Sequence, residues 1–300
     1  MYMGYIFALI PPFLDSFINY LDKFLLSKYN ISPTAITIYS GFFALASGIV
    51  VFLFTGLHLA DLKTALILTT SGFMGVFILI CYFKALTLDE ASRVASLFQL
   101  NPILVLLLGA VVLGEDLLFK QYIGSFLIIV SGFALSIQKL QVGVVKINKA
   151  FWYMSLASFF SATVYISFKL GVKELGFWPA IPYEGFGSGL ASLCILLYGN
   201  NLKNLKKEMK KISKKVFVYL TISEVIYRSS RLSFFFALSL VPAALVAVLQ
   251  GFQPLFLLIE GIILSLWFPY IIKEVITKGT VGIKVLSVIG IFIGLSLIFL

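Results

Sequence analysis

Beginning at Gly4, apolar residues run on in ten stretches, each about as long as a helix needs to cross a hydrocarbon core, which takes roughly 20 residues. In lipid no water satisfies the peptide groups, so a crossing segment must pair its own N–H and C=O groups, as a helix does. The spans read 4–26, 33–55, 64–86, 91–113, 119–137, 150–172, 178–198, 216–240, 242–266 and 282–300. They fill nearly the whole chain and leave no room for a soluble domain. Hydrophobic residues make up 60% of the chain and charged residues 12%, with a mean hydropathy of +1.05, too little charge for a water-facing surface. The first span has no basic residue before it and no small-residue cleavage site after it. It is therefore expected to be a retained helix of a complete chain rather than a signal peptide.

The chain repeats itself. Sliding it by about 152 positions sets Pro102 on Pro254 and Gly109 on Gly261, with Ala85, Leu86, Leu88, Ala91, Val94, Ala95 and Leu97 on identical residues. Lys23 and Pro33 fall opposite Lys169 and Pro179 at an offset of about 146, the difference of about six lying in the Lys-rich connection between spans 7 and 8. The expectation is an all-α integral membrane protein whose ten helices form two five-helix repeats, residues 1–140 and 141–300. An odd number of spans per repeat inverts the second relative to the first, the plan of many secondary transporters.

Polar residues inside apolar spans are costly to expose to lipid, so they mark inward faces. Span 1 carries Asp15, Asn19 and Asp22 at i, i+4 and i+7, below a Pro11-Pro12 pair expected to kink the helix. Alternatively only Asp15 is deep, and Asp22 with Lys23 marks the membrane boundary. Asp89 reads as an N-cap of span 4, beside Glu90; span 4 itself holds Gln99, Asn101 and Pro102 and ends at Gly114-Glu115-Asp116. Span 7 carries Tyr183 and Glu184 before a Gly185–Gly189 GxxxG pattern suited to close packing. Span 8 places Glu224, Arg228 and Arg231 on one face with Tyr227 beside them, so that Glu224 neutralises one arginine and leaves the other available. Span 9 adds Gln250, Gln253, Pro254 and Glu260. The segment from Phe268 to Lys284 has no counterpart in the first half and reads as an interfacial helix and turn.

The net charge of +10 and pI near 9.5 come from loop lysines, a topology and lipid-contact signature rather than a nucleic-acid surface. Lys203 to Lys215, Lys139 to Lys149 and Lys273 to Lys284 all lie on one side if ten spans is right; the positive-inside rule makes that side cytoplasmic and puts both termini outside. Cys81 and Cys194 lack CxxC spacing and His58 is the only histidine, against a disulfide scaffold or a zinc site.

Residues 91–132, ASRVASLFQLNPILVLLLGAVVLGEDLLFKQYIGSFLIIVSG, resemble the EamA domain of the drug/metabolite transporter superfamily in the span 4 proline, the Gly114-Glu115 ending and Gly124 and Gly132 of span 5. The duplicated ten-helix length is similar too. The resemblance implies a permease of the cell (inner) membrane with a central cavity between its halves, moving a small metabolite such as an amino acid, nucleobase or sugar. The second half departs from the pattern: Ser265, Leu266 and Trp267 stand where a Gly-Glu pair is expected, and the 268–284 insertion follows. Members are often described with both termini cytoplasmic, against the loop count.

The polar groups available to a substrate are Asp15, Asn19, Asn101, Tyr183, Glu184, Glu224, Tyr227, Arg228, Arg231, Gln250 and Gln253. Arg228 or Arg231 suits a substrate carboxylate or phosphate, because guanidinium meets such anions bidentately. Asp15 and Glu224 suit a substrate amine or an exchanged proton. Glu224, Arg228, Arg231 and one more acid such as Asp15 or Glu184 also suit a closed ion network that only fixes packing, and Glu260 suits the interfacial lysines. The expected partners are a small-molecule substrate of amino-acid-like or organic-anion type, protons and membrane lipids, in a monomer or homodimer without cofactor or nucleic acid. A translocase of lipids or lipid-linked intermediates is the alternative. An enzyme would need a nucleophile–base pair or metal cluster that the spacing does not supply.

Overall fold

The computed structural model describes residues 2–56, 58–89, 91–98, 100–135, 149–267 and 278–299; Glu90, Gln99, Lys139, Lys146, Lys273 and Glu274 lie outside the described residues, as does the 268–277 part of the expected interfacial segment. In chain order the helices are α1 (Tyr2–Tyr29), α2 (Pro33–Thr55), α3 (Leu62–Leu88), α4 (Ala91–Leu97), α5 (Leu100–Leu108) ending in a π turn at Gly109–Leu113, α6 (Phe119–Leu135), α7 (Lys149–Leu175), α8 (Phe177–Leu197), α9 (Asn201–Met209), α10 (Lys214–Leu240), α11 (Ala243–Leu249) followed by a 3-10 turn at Gln250–Phe252, α12 (Gln253–Trp267) and α13 (Lys278–Phe299). All ten spans are thus helical, and no strand occurs among the described residues.

Five of these, α2, α3, α7, α8 and the α11–α12 unit, are long and apolar enough to cross a membrane, and Leu100–Leu113 and Val285–Ile298 are shorter apolar helices. The outward faces are apolar, with Leu53, Phe54, Val111, Phe119 and Leu286 all more than half exposed, as lipid contact requires. α1 and α10 are as long, 28 and 27 residues, but carry the charges, and they pack on each other.

Local chemistry sets the ends. Ser32 caps α2, accepting from Ala35 N at 3.2 Å with Pro33 in the first turn, where its missing N–H costs nothing. Asp61 caps α3 through Lys63 N and Thr64 N, and the Thr64 hydroxyl, followed by these backbone donors, holds its carboxyl below the usual carboxylate range. Pro11 denies Phe7 O its helical donor, and Ser233 Oγ of α10 supplies one at 2.8 Å, so α1 continues through both prolines.

Three expectations need correction. The Lys-rich connection between spans 7 and 8 is a helix, α9, rather than a loop. Glu208 pins it by accepting from Ser32 N at 3.2 Å and Ser32 Oγ at 3.0 Å, while its lysines stay exposed. α13 covers Lys278–Phe299, so the last span begins before the expected residue 282, within the segment read as an interfacial helix and turn. Asp89 is the C-cap of α3, its N–H bonded to Ala85 O at 3.0 Å.

Packing crosses between the halves: α1 on α10, α3 on α7, α2 on α8 and α6 on α13, with α8 also against α3. Glycines allow the close approaches. Gly185 faces the Gly48 backbone of α2, Gly187 faces Thr69 of α3, and Gly124 and Gly294 face each other's backbones between α6 and α13. Two apolar cores result. One joins the N-terminal part of α1 to the C-terminal parts of α7 and α10, around Ala8, Phe168 and Phe235; the other joins the C-terminal parts of α1 and α3 to the N-terminal parts of α7 and α10, around Leu25, Leu86, Met154 and Leu220. Because adjacent spans run oppositely, the cores lie toward opposite ends of the bundle.

A polar cavity between two apolar cores

Between these cores the spans turn their polar side chains inward. The α1 stripe is completed by donors from α3 and α10: Tyr82 Oη donates to Asn19 Oδ1 at 2.6 Å and to Asp22 Oδ2 at 3.3 Å, Ser223 Oγ to Asp22 Oδ1 at 3.1 Å, and Ser230 Oγ to Asp15 Oδ1 at 2.6 Å. Asp22 is buried and belongs to the inward face. It does not mark the boundary, and neighbouring Lys23 turns to the α3 terminus, donating to Leu86 O at 2.6 Å and Asp89 O at 2.8 Å.

The α10 charges are arranged differently from the expectation. Glu224 accepts from Ser40 Oγ at 2.9 Å and lies 3.9 Å from Arg228 Nε, whose guanidinium also reaches Ser40 Oγ at 3.5 Å and covers the Tyr227 ring at 4.6 Å. One of the two arginines is expected to remain available, yet Arg231 Nη2 lies 3.7 Å from Glu184 Oε1, with its guanidinium over the Phe234 and Phe235 rings. Span 7 thus supplies the second carboxylate, a tertiary contact that helical periodicity within span 8 does not reveal.

The space between these side chains is a cavity of about 130 Å³. Seven expected residues line it: Asp15, Asn19, Glu224, Tyr227, Arg231, Gln250 and Gln253. Four do not. Glu184 and Arg228 stand behind it as partners of lining residues, and Asn101 is buried beside Tyr165 with no well-formed hydrogen bond to its amide among the described residues. Tyr183 sits elsewhere, its hydroxyl donating to His58 O and accepting from Ala60 N, both at 3.0 Å, so it fastens the α2–α3 connection. Lining residues that the sequence reading passed over include Ser40, Tyr82, Ser161, Tyr165, Ser223 and Ser230. They are hydroxyl-bearing residues that break no apolar pattern; only the two on α10, Ser223 and Ser230, lie near the charges in sequence and hint at a polar face. Glu260 faces Ser16 of α1, and its carboxylate oxygens have no hydrogen-bond partner among the described residues.

The cavity borders two breaks. α4 gives way to α5 at Phe98, where Asn101 N bonds Phe98 O at 2.9 Å, and α11 gives way to α12 at the 3-10 turn, where Gln253 N bonds Gln250 O. Each break precedes a proline, Pro102 and Pro254, which lacks the N–H to continue the ladder. Glu115, beyond the π turn, accepts from Ala243 N at 2.8 Å and Ala244 N at 3.2 Å and so caps α11.

No curated protein matches the sequence. A solved structure described only as "Crystal structure of protein" covers 99% of this chain and 95% of its own length at 14% identity, with a TM-score of 0.66, which makes the fold a shared one from end to end. Residues 2–137 match the model described as "EamA-like transporter family". That segment is similar to the EamA-like transporter family, consistent with the drug/metabolite transporter superfamily that residues 91–132 resemble.

Proposed function

We propose that this transporter-like membrane protein is a permease, secondary active or facilitative, that carries a small polar metabolite by alternating access through the central cavity. The observation that carries this reading is the polar cavity between two separate apolar cores. Transport requires a site that replaces the substrate's hydration and a seal on each side that opens in turn. Loosening either core would expose the cavity to that end of the bundle, and the helix breaks beside it lie where backbone irregularity is tolerated, against a cavity.

Residues 1–140 and 141–300 act as the two repeats. Equivalent features support the division: Lys169 Nζ donates to Leu238 O and Val241 O, both at 2.6 Å, as Lys23 does to Leu86 O and Asp89 O. α4 and α11 occupy the same repeat positions, as do the prolines after each break. Exchanging the halves turns the α1–α10 pair into the α7–α3 pair. The face carrying the α9 lysines is cytoplasmic by the positive-inside rule, with protons as candidate coupling ions at Asp15 and Glu224.

The test is a thermal-shift screen of the purified protein against amino acids, nucleobases, sugars, amines and organic anions, because a ligand that binds only the folded state raises apparent stability. Stabilisation that disappears in Tyr82→Phe or Asp15→Asn supports the reading. Stabilisation only by anionic or isoprenoid lipids sinks it in favour of a lipid translocase.

A further inference from the structure

Four carboxylates gather at or just behind the cavity, Asp15, Asp22, Glu184 and Glu224, against two guanidiniums. Arg228 Nε lies 3.9 Å from Glu224 and Arg231 Nη2 lies 3.7 Å from Glu184, so each guanidinium faces a carboxylate. Arg231 is also the cation that acts on Asp15. Among the described residues Asp22 has none: its partners are the Tyr82 and Ser223 hydroxyls, and the charged groups near enough to act on it are Glu224 and Asp15, both acids. A carboxylate lining a cavity in a membrane protein without a counter-charge is costly.

A second observation concerns a donor in the cavity lining. Gln250 lines the same cavity, is 8% exposed, and its Nε2 is shielded from solvent with no acceptor among the described residues. A buried amide donor without a partner is costly in its own right. It calls for an acceptor oxygen on whatever fills the space.

We infer that the cavity takes an organic ammonium ion bearing a hydrogen-bond acceptor, its ammonium held by Asp22 and its acceptor by Gln250 Nε2. The inference rests on the permease reading of this cavity and narrows it. The ammonium supplies the charge that Asp22 lacks, and the field of Asp15 and Glu224 adds to its attraction. The rings of Tyr82 and Phe83 line the same wall, and aromatic faces attract cations. A free substrate carboxylate is disfavoured, because both arginines are already paired and Asp22 repels it. An organic anion would have to compete with Glu224 or Glu184 for a guanidinium. About 130 Å³ suits a ligand of few heavy atoms.

Four probes of nearly equal size separate charge from shape: alaninamide, a cation with an acceptor; lactamide, its neutral counterpart; alanine, a zwitterion; and lactate, an anion. Ligand-induced stabilisation of the full-length protein in detergent at pH 7 gives the apparent affinities. Alaninamide should bind at least about tenfold tighter than each of the other three. Asp22→Asn should erase the preference over lactamide, while Asp22→Glu retains it. Gln250→Leu should weaken alaninamide without reversing the order. If Asp22→Asn does not fold, the four-probe ranking on the wild-type protein still decides. Equal or tighter binding of lactamide, alanine or lactate overturns the ammonium inference and leaves the permease reading standing. Silence from all four also overturns the inference. If stabilisation then comes only from lipids, the permease reading falls with it.

Discussion

Gly72 and Gly75 lie one turn apart on α3, both buried, and alanine should act oppositely at the two. A Cβ on Gly72 would stand 2.7 Å from the Glu184 carbonyl carbon and 2.9 Å from Ser188 N, nearer still to Glu184 O, all backbone of α8. Backbone cannot swing aside, so α3 and α8 must part by roughly 0.5 Å or more, a gap that forfeits a quarter or more of the dispersion energy of each contact. Overpacking of this kind costs about 1–3 kcal/mol. Stretching the 3.1 Å bond from Ser188 Oγ to Gly72 O adds about 1 kcal/mol, and the better helix propensity of alanine returns about 1 kcal/mol. The net expectation for Gly72→Ala is a loss of about 1–3 kcal/mol. At Gly75 the nearest atoms are Arg231 Nη2 at 3.8 Å and Glu184 Oε1 at 3.9 Å, ordinary contact, so Gly75→Ala should be neutral or stabilising by up to about 1 kcal/mol. Thermal unfolding of both variants in one detergent reads the difference. A Gly72→Ala protein as stable as wild type, or less harmed than Gly75→Ala, would refute the close α3–α8 packing that positions Glu184.

Other consequences follow from named contacts. Glu115→Ala removes the two bonds that cap α11 and should cost about 1.5–3 kcal/mol in thermal stability; a silent variant would contradict the cap. Tyr183→Phe should cost about 1 kcal/mol or less and speed proteolysis within residues 56–61, with ligand-induced stabilisation unchanged; a lost ligand shift would return Tyr183 to the binding residues. Lys23→Met and Lys169→Met each strand two carbonyls and should destabilise by about 2–4 kcal/mol; because the lysines sit at opposite ends, a thiol-reactive probe in the cavity should gain access from opposite sides in the two variants.

The spans and the two charged helices were legible because a carboxylate or guanidinium interrupting an apolar run has few places to go but inward. Asp15 and Glu224 follow from that alone, and Asn19 from lying four residues after Asp15 on the same face. The hydroxyl lining, Tyr82 and Ser223 among it, was not legible, since serine and tyrosine interrupt nothing within a membrane helix. Arg228 and Arg231 were legible as inward charges but not in their roles: spacing within α10 says which side chains share a face, and only packing says that Glu184 meets one of them. α9 hid because its lysines dominate the reading; Leu202, Leu205 and Met209 at i, i+3 and i+7 were the available helical signal. Glu115 lay in plain view at the end of span 4, yet its role depends on α11 arriving beside it.

The alternating-access claim is tested most directly at Ser161, buried at 5% exposure in the cavity wall. Ser161→Cys, in a background with Cys81 and Cys194 replaced by alanine, is labelled with a membrane-impermeant maleimide in sealed vesicles of each orientation. The account predicts labelling from both sides, slowed in both by bound ligand. Labelling from one side only, or from neither, would contradict it.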